Sequence, residues 1–284
     1  MSTVRKPRKS LTLEVLRTER LTSHLQRVIL GNGDIDEITD PGYTDTYSKL
    51  LFPVPGSGVT APFDINAVRE ELPREQWPVT RTYTIRRIDQ DAKQVWIDFV
   101  VHGDSGLAGP WALNAQPGDK LTFLNPVGAY SPNTEADWYA FVGDESAIPA
   151  ISSALESLAE TKPEARGWAV IEIAEESDRM DLAAPEDLAV HWVVRGGEPA
   201  GDASITEHAV RVQPWLEGEV DVFAHGEREA MKAMRRYFRT ERGVDRKALS
   251  LSGYWAFGRV EDDFQAEKRT PVGQIFEPED TATA

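Results

Sequence analysis

The chain contains no cysteine. Disulfides, thiolate zinc sites and cysteine-ligated iron–sulfur clusters are therefore excluded. Histidine is scarce: His24, His102, His191, His208 and His225 are scattered, with no two in an H-x-x-x-H pair. No metal centre built from protein ligands is expected. Positive charge is in deficit as well. With 31 Lys and Arg against 47 Asp and Glu, the net charge is -16, the wrong sign for a nucleic-acid partner. No apolar run is long enough to span a membrane, and none follows the basic start "MSTVRKPRKS". A secretory signal is not expected, and the cytoplasm is the expected location. A G-x-G-x-x-G stretch is also missing, which argues against a standard Rossmann dehydrogenase.

What remains is ordinary for a globular protein. Hydrophobic residues make up 40% and charged residues 27% of 284, a length that suits one large or two small domains. The first half reads as strands and turns. "LTLEVLRTERL" and "LQRVILG" open it, and "KLLFPV", "RTYTIRRI", "KQVWIDFVVHG" and "DKLTFLNPVG" follow. A short polar helix is expected around "INAVREELP". In the clearest strand Val95, Ile97, Phe99 and Val101 share one face. Six strands without a long helix predict a small antiparallel β-barrel. The second half changes period. "DWYAFVGD" is a strand, and "IPAISSALESLAE" places Ile148, Ile151, Leu155 and Leu158 on one helical face. "GWAVIEIAEE", "AVHWVVRGG" and "EVDVFAHGE" are strands, "EREAMKAMRRYFRTE" a helix, and "ALSLSGYWAFG" a last strand. That alternation predicts an α/β domain on a parallel sheet. The expected organisation is a barrel over 1–135, an α/β domain over 136–259 and a tail over 260–284. The tail is either disordered or a docked C-terminal helix.

Within the strand "RTYTIRRID", Arg81, Tyr83 and Ile85 fall on one face and Thr82, Thr84 and Arg86 on the other. An arginine and a tyrosine beside an isoleucine make an odd core but a reasonable seat for a planar anionic ligand. A guanidinium fork matches phosphate oxygens, and a tyrosine ring can stack on a heteroaromatic one. Three other stretches carry similar chemistry. "HGDSGLAGPWALNAQPGD" supplies Gly103, Gly106 and Gly109 directly after a strand, where backbone N–H groups can approach a pyrophosphate. "VGDESAIPAI" puts an acidic turn and Ser146 at a strand's carboxyl end, where open parallel sheets bind ligands. A simple helix N-cap by Asp144 or Ser146 is the plainer alternative. "AHGERE" and "SGYWAFG" end two later strands at the same edge if the sheet is parallel, and Tyr254-Trp255 there would cover a ligand or close the core.

In this order, from about Leu11 to Gly258, these stretches resemble the siderophore-interacting protein family, the FAD-containing ferric-siderophore reductases of the ferredoxin-reductase-like superfamily. The resemblance implies an N-terminal FAD barrel and a C-terminal NAD(P)H-type domain. Arg81, Tyr83 and Thr84 match the family's flavin motif. His102, Gly103, Gly106, Ala108, Trp111 and Ala112 match its pyrophosphate segment. Gly143, Asp144, Glu145 and Ser146 match its G-D-E-T stretch, with Ser146 keeping the hydroxyl. Tyr254 and Trp255 match its G-Y-W, and Gly226 and Glu227 the late G-E on the nicotinamide side. His225 stands where a small residue is usual and Phe223 where tryptophan is. Tyr83, Thr84 and Ser146 are the expected catalytic residues, in the sense that they seat and tune the flavin.

The implied activity is FAD-dependent reduction of ferric siderophores, releasing Fe(II), with NADH, NADPH or a reduced ferredoxin as donor. A monomer is expected. An anionic ferric siderophore needs a local positive patch on an acidic protein, and Lys49, Lys268 and Arg269 are candidates. Two other classes remain open: a flavin reductase with a different acceptor, and a siderophore carrier without enzymatic activity.

Overall fold

The computed structural model describes residues 9–103, 106–268 and 270–276. The chain divides between Ala129 and Tyr130 into two compact units.

In the first unit, β1 (Ser10–Arg20), β2 (Leu25–Gly31), β3 (Tyr47–Phe52), β4 (Val79–Asp89), β5 (Gln94–Val100) and β6 (Lys120–Leu124) form a closed barrel. Its order is β1-β2-β5-β4-β3-β6, and every pairing is antiparallel. Alternation dictates what fills it. Leu11, Leu13 and Val15 from β1 and Val95, Ile97 and Phe99 from β5 are all buried in one core, with Val101 just beyond β5. The stretch "RTYTIRRID" lies on β4. A bulge between Ile85 and Arg87 shifts its phase, so Tyr83 and Ile85 face the core and Ile88 takes the next inward position. Helix α1 (Ile65–Glu71) is capped by Asp64, whose side chain accepts from the Asn66 N–H. Helix α2 (Ala108–Asn114) follows the glycine segment.

In the second unit, β7 (Trp138–Gly143), β8 (Gly167–Ile173), β9 (Leu188–Val194), β10 (Val220–Glu227) and β11 (Leu249–Trp255) form a parallel sheet of order β11-β10-β7-β8-β9. This is the doubly wound arrangement, with strand order reversing between β7 and β10. All six residues of β7 are buried, which explains its continuous apolar run. Helix α3 (Ile148–Thr161) buries Ile148, Ile151, Leu155 and Leu158 as its period predicts. Helix α5 (Arg228–Arg235) buries Met231 and Met234, then loosens into a π-helical stretch over Arg236–Glu241 that buries Phe238. The segment is therefore two helical forms rather than one.

Helix α4 (Ala203–Arg211) was not expected. Only Thr206 and Val210 are buried on it, one of them polar, which leaves almost no apolar stripe to read. The tail is a docked helix where it is described. Helix α6 (Glu261–Glu267) buries Phe264 to 1% exposure, and its Glu267 pairs with the buried Arg228 and with Arg259.

Candidate functional site

In the barrel unit, Arg81 and Tyr83 are half-buried on β4 and Thr84 is buried. The expected alternation would expose Thr84, but it pairs with Tyr47 of β3 and is covered. One Arg81 guanidinium nitrogen donates to the Thr80 carbonyl at 2.8 Å. The Tyr83 ring lies 4.6 Å from that of Phe99, which lies 5.7 Å from Trp111 of α2. Phe99 is fully buried, whereas the two rings flanking it keep exposed surface. His102, Gly103 and Gly106 are exposed between β5 and α2. Gly103 and Gly106 take φ of +59° and +85°, and nothing stands within 4 Å of where a Cβ would be. Their backbone is thus open to a ligand, and a side chain would disfavour the conformation. Gly109 differs: a Cβ there would meet the Val100 carbonyl at 3.3 Å, so it serves the packing of α2 on β5. Ala108 and Ala112 turn their methyls into the barrel core, which leaves only their backbone for a ligand. Lys49 is half-buried on β3 opposite Thr82.

In the α/β unit the predicted residues converge on one carboxylate. Asp144 follows β7 and is 7% exposed. Its Oδ1 accepts from the Ser146 N–H at 2.9 Å and the Ser146 hydroxyl at 2.5 Å. Its Oδ2 accepts from the Glu227 N–H at 2.9 Å and the Trp255 indole N–H at 2.8 Å. The loop after β7 is thereby tied to the ends of β10 and β11. Burial first, and then the charge of Glu145, push the Asp144 carboxyl up to about 6, against the hydrogen bonds from Ser146 and Trp255. Gly226 is required beside it: φ is +156°, and a Cβ would stand 2.8 Å from Asp144 Oδ2. Neither Asp144 nor Ser146 caps α3. The N-cap is Ala147, without a side-chain bond. Because the Ser146 hydroxyl proton points at Asp144, the oxygen's remaining lone pairs are what it can offer a ligand.

Glu227 is buried and caps α5. Its Oε2 accepts from the N–H groups of Glu229 and Ala230, and its Oε1 from that of Phe257. Glu145 is engaged by Arg195, whose guanidinium donates to both Glu145 oxygens at 2.6 and 3.1 Å and to Glu172 at 3.2 Å. The second Glu172 oxygen accepts from Thr206 at 2.5 Å. Burial holds Glu172 above the usual carboxylate range despite those partners. A narrow crevice opens at this edge, lined by Asp144, Glu172, Asp202, Thr206, Glu227 and Trp255 among others.

His225 lies on β10 just before Gly226. Its ring stacks on Phe223 at 3.9 Å, and its two nitrogens meet the Tyr254 hydroxyl at 2.9 Å and the Ser250 hydroxyl at 3.0 Å. Burial, and then the charge of Lys268, drop its pKa to about 3, so the ring is neutral and one nitrogen accepts while the other donates. The sequence marked His225 and Phe223 as unusual but did not show that they stack on each other. Lys268 itself is exposed at the end of α6, with Nζ 4.6 Å from the Phe264 ring centroid. Arg269 lies outside the described residues.

Two family models match consecutive parts of the chain. The siderophore-interacting FAD-binding domain covers residues 14–130, and the siderophore-interacting protein covers 136–258. The chain belongs to the siderophore-interacting protein family. Among its relatives, the ferric vibriobactin reductase ViuB of Vibrio cholerae is 30% identical over 93% of this chain and 96% of its own. The NADPH-dependent ferric-chelate reductase of Escherichia coli is 30% identical over 86% and 91%. The crystal structure of SipS from Aeromonas hydrophila superposes with a TM-score of 0.77 at 28% identity, over 92% of this chain and 97% of that one.

The ferredoxin-reductase-like architecture of the family is therefore the architecture found here, and FAD is the cofactor of its barrel domain. The residues of this member fit that group. Gly103 and Gly106 leave their own backbone open to phosphates, and the part-exposed rings of Tyr83 and Trp111 offer apolar surface to a heterocycle. Among the described residues no helix is long and apolar enough to cross a membrane.

Proposed function

We propose that this siderophore-interacting protein is a ferric-siderophore reductase that uses bound FAD and a reduced pyridine dinucleotide as donor. The observation that carries the reading is the open backbone at Gly103 and Gly106, in a barrel unit where Tyr83 and Trp111 flank Phe99 with part-exposed rings, in a chain whose relatives are named ferric-chelate and ferric-vibriobactin reductases. When bound, FAD supplies the exchange between hydride and single-electron chemistry, for which no side chain here is suited. One dinucleotide yields two electrons and reduces two ferric ions, becoming the oxidised dinucleotide and releasing a proton. Hard oxygen ligands hold Fe(II) far less tightly than Fe(III), so reduction frees the metal.

The chain's own work is binding and orientation. Arg81 is assigned to the phosphate or ribityl region of FAD and Tyr83 to its ring. Gly103 and Gly106 present backbone to the pyrophosphate. Ser146, with its proton committed to Asp144, presents an acceptor. The ties from Asp144 to Glu227 and Trp255 hold the carboxyl edge of the sheet in one arrangement.

The test is an anaerobic assay of the FAD-loaded protein with NADH or NADPH, a hydroxamate or catecholate ferric siderophore, and a ferrous chelator. Ferrous chelate should accumulate well above the rate given by free FAD. Bleaching of the flavin without ferrous product across both siderophore classes would overturn the reading and favour another acceptor. A protein that purifies colourless yet binds the ferric siderophore would instead be a carrier.

A further inference from the structure

Strand order decides where each half of a dinucleotide lies. In a doubly wound sheet the ligand crosses the carboxyl edge where the order reverses, with one mononucleotide on each half-sheet, and the adenosine ribose is met at the end of the second strand. Here the reversal falls between β7 and β10, and the second strand is β8.

The end of β8 is built from carboxylates. Glu172 is its penultimate residue, and it shares the Arg195 guanidinium with Glu145. Two carboxylates on one guanidinium leave a net negative cluster. The side chains of all three are about nine-tenths buried, with 8% of Arg195 exposed. The Arg195 guanidinium is buried between the two carboxylates it pairs with, and its Nε is buried as well, so this cation is not free to turn toward a ligand. The segment that follows β8, residues 174–187, adds Glu175, Glu176, Asp178, Asp181, Glu186 and Asp187 against a single cation, Arg179. That arginine is itself held by both oxygens of Glu176.

A 2′-phosphate on the adenosine ribose carries about two negative charges near neutral pH. To sit here it would need a cation not already neutralised, and Arg179 after β8 and Arg195 just after β9 are both ion-paired. A ribose hydroxyl carries no such requirement, and an acidic residue at the end of the second strand is the usual partner of a free 2′-hydroxyl.

We propose that the donor site of this chain selects a pyridine dinucleotide without a 2′-phosphate, NADH over NADPH, and that the carboxylates at and after the end of β8 are the discriminating element. The proposal rests on the reading of the chain as a dinucleotide-dependent reductase and names the donor for that same site.

The experiment uses the FAD-loaded full chain. Calorimetric titrations with NAD+ and NADP+ measure binding directly, and anaerobic mixing with NADH and NADPH follows bleaching of the flavin. NADP+ should bind at least about tenfold more weakly than NAD+, with a matching ratio of bleaching rates, since like-charge juxtaposition carries that much discrimination. Glu176→Lys removes one carboxylate, releases Arg179 and adds a cation on a side chain 71% exposed. It should narrow the ratio by about tenfold without changing the melting temperature. Glu172→Gln, which keeps the shape of the buried cluster, should narrow it in the same direction. Equal or tighter binding of NADP+ by the unmodified protein overturns the proposal, as does an unchanged ratio in both variants. If neither dinucleotide binds or bleaches the flavin, the dinucleotide reading itself fails, and that result is distinct because no ratio exists to compare.

Discussion

Replacing Asp144 with asparagine sets two opposing effects against each other. Four donors converge on this carboxylate, two on each oxygen. Each charge-assisted bond favours the ionised form, by about 1.5–3 kcal/mol net. Burial and the neighbouring Glu145 oppose ionisation and dominate, raising the pKa from 3.8 to about 6. A difference of about two units corresponds to roughly 3 kcal/mol. The sign follows from proton binding: the folded state holds the proton more tightly than the unfolded chain. The stabilisation this provides is full below the unfolded pKa of 3.8 and is lost as pH rises through about 6. Asparagine cannot titrate, so unfolding free energy of the unmodified protein minus that of Asp144→Asn isolates the effect from other carboxylates. That difference should grow by roughly 2.5 kcal/mol between about pH 7 and pH 4. At neutral pH the variant leaves about two buried donors poorly matched, at about 1–3 kcal/mol each, partly offset by removal of a disfavoured charge. Urea unfolding followed by tryptophan fluorescence across this range is the assay. A difference that stays flat, or shrinks on acidification, would show that the four hydrogen bonds outweigh burial, and would refute the assignment of the raised pKa.

Two further outcomes follow from individual side chains. Arg81→Ala should weaken FAD binding about 10- to 150-fold, the equivalent of one charge-assisted contact. Arg81→Lys should recover little if the contact is bidentate. FAD dissociation constants measured beside circular dichroism decide it, and an unchanged constant would leave Arg81 as a strand residue holding the Thr80 carbonyl. Phe264→Ala removes a ring that is 1% exposed and should cost about 3–5 kcal/mol locally. Limited tryptic cleavage at Arg259 and Lys268, which flank α6, should then accelerate, and unchanged protection would show that the Glu267 ion pairs alone dock the helix.

Much of the fold was legible because its signals are local. The alternation of Val95, Ile97, Phe99 and Val101 and the 3.6-residue spacing of Ile148, Ile151, Leu155 and Leu158 need only near neighbours to be read. The bulge in β4 was not legible, since an extra residue changes which side chains face inward without leaving a mark in composition. The same holds for α4, where two buried positions are too few to establish a period, and for the π-helical stretch after α5.

The sequence by itself determined the two halves, a barrel and then a parallel α/β unit, because alternation of two and periodicity of 3.6 are properties of adjacent residues. It also determined the chemistry on offer at each strand end, from Arg81 and Tyr83 to the Gly226-Glu227 and Tyr254-Trp255 pairs. Which of these groups meet was decided by tertiary structure alone. Asp144 receives its bonds from Glu227 and Trp255, 83 and 111 residues away, and Arg195 reaches back 50 residues to Glu145. Such pairings exist only because the order β11-β10-β7-β8-β9 sets β10 directly against β7. No local propensity encodes that adjacency. It arises when the apolar faces of strands far apart in the chain are buried together, and the polar groups at their ends must then find partners there, since a buried carboxylate or guanidinium left unpaired would cost more than the fold can supply.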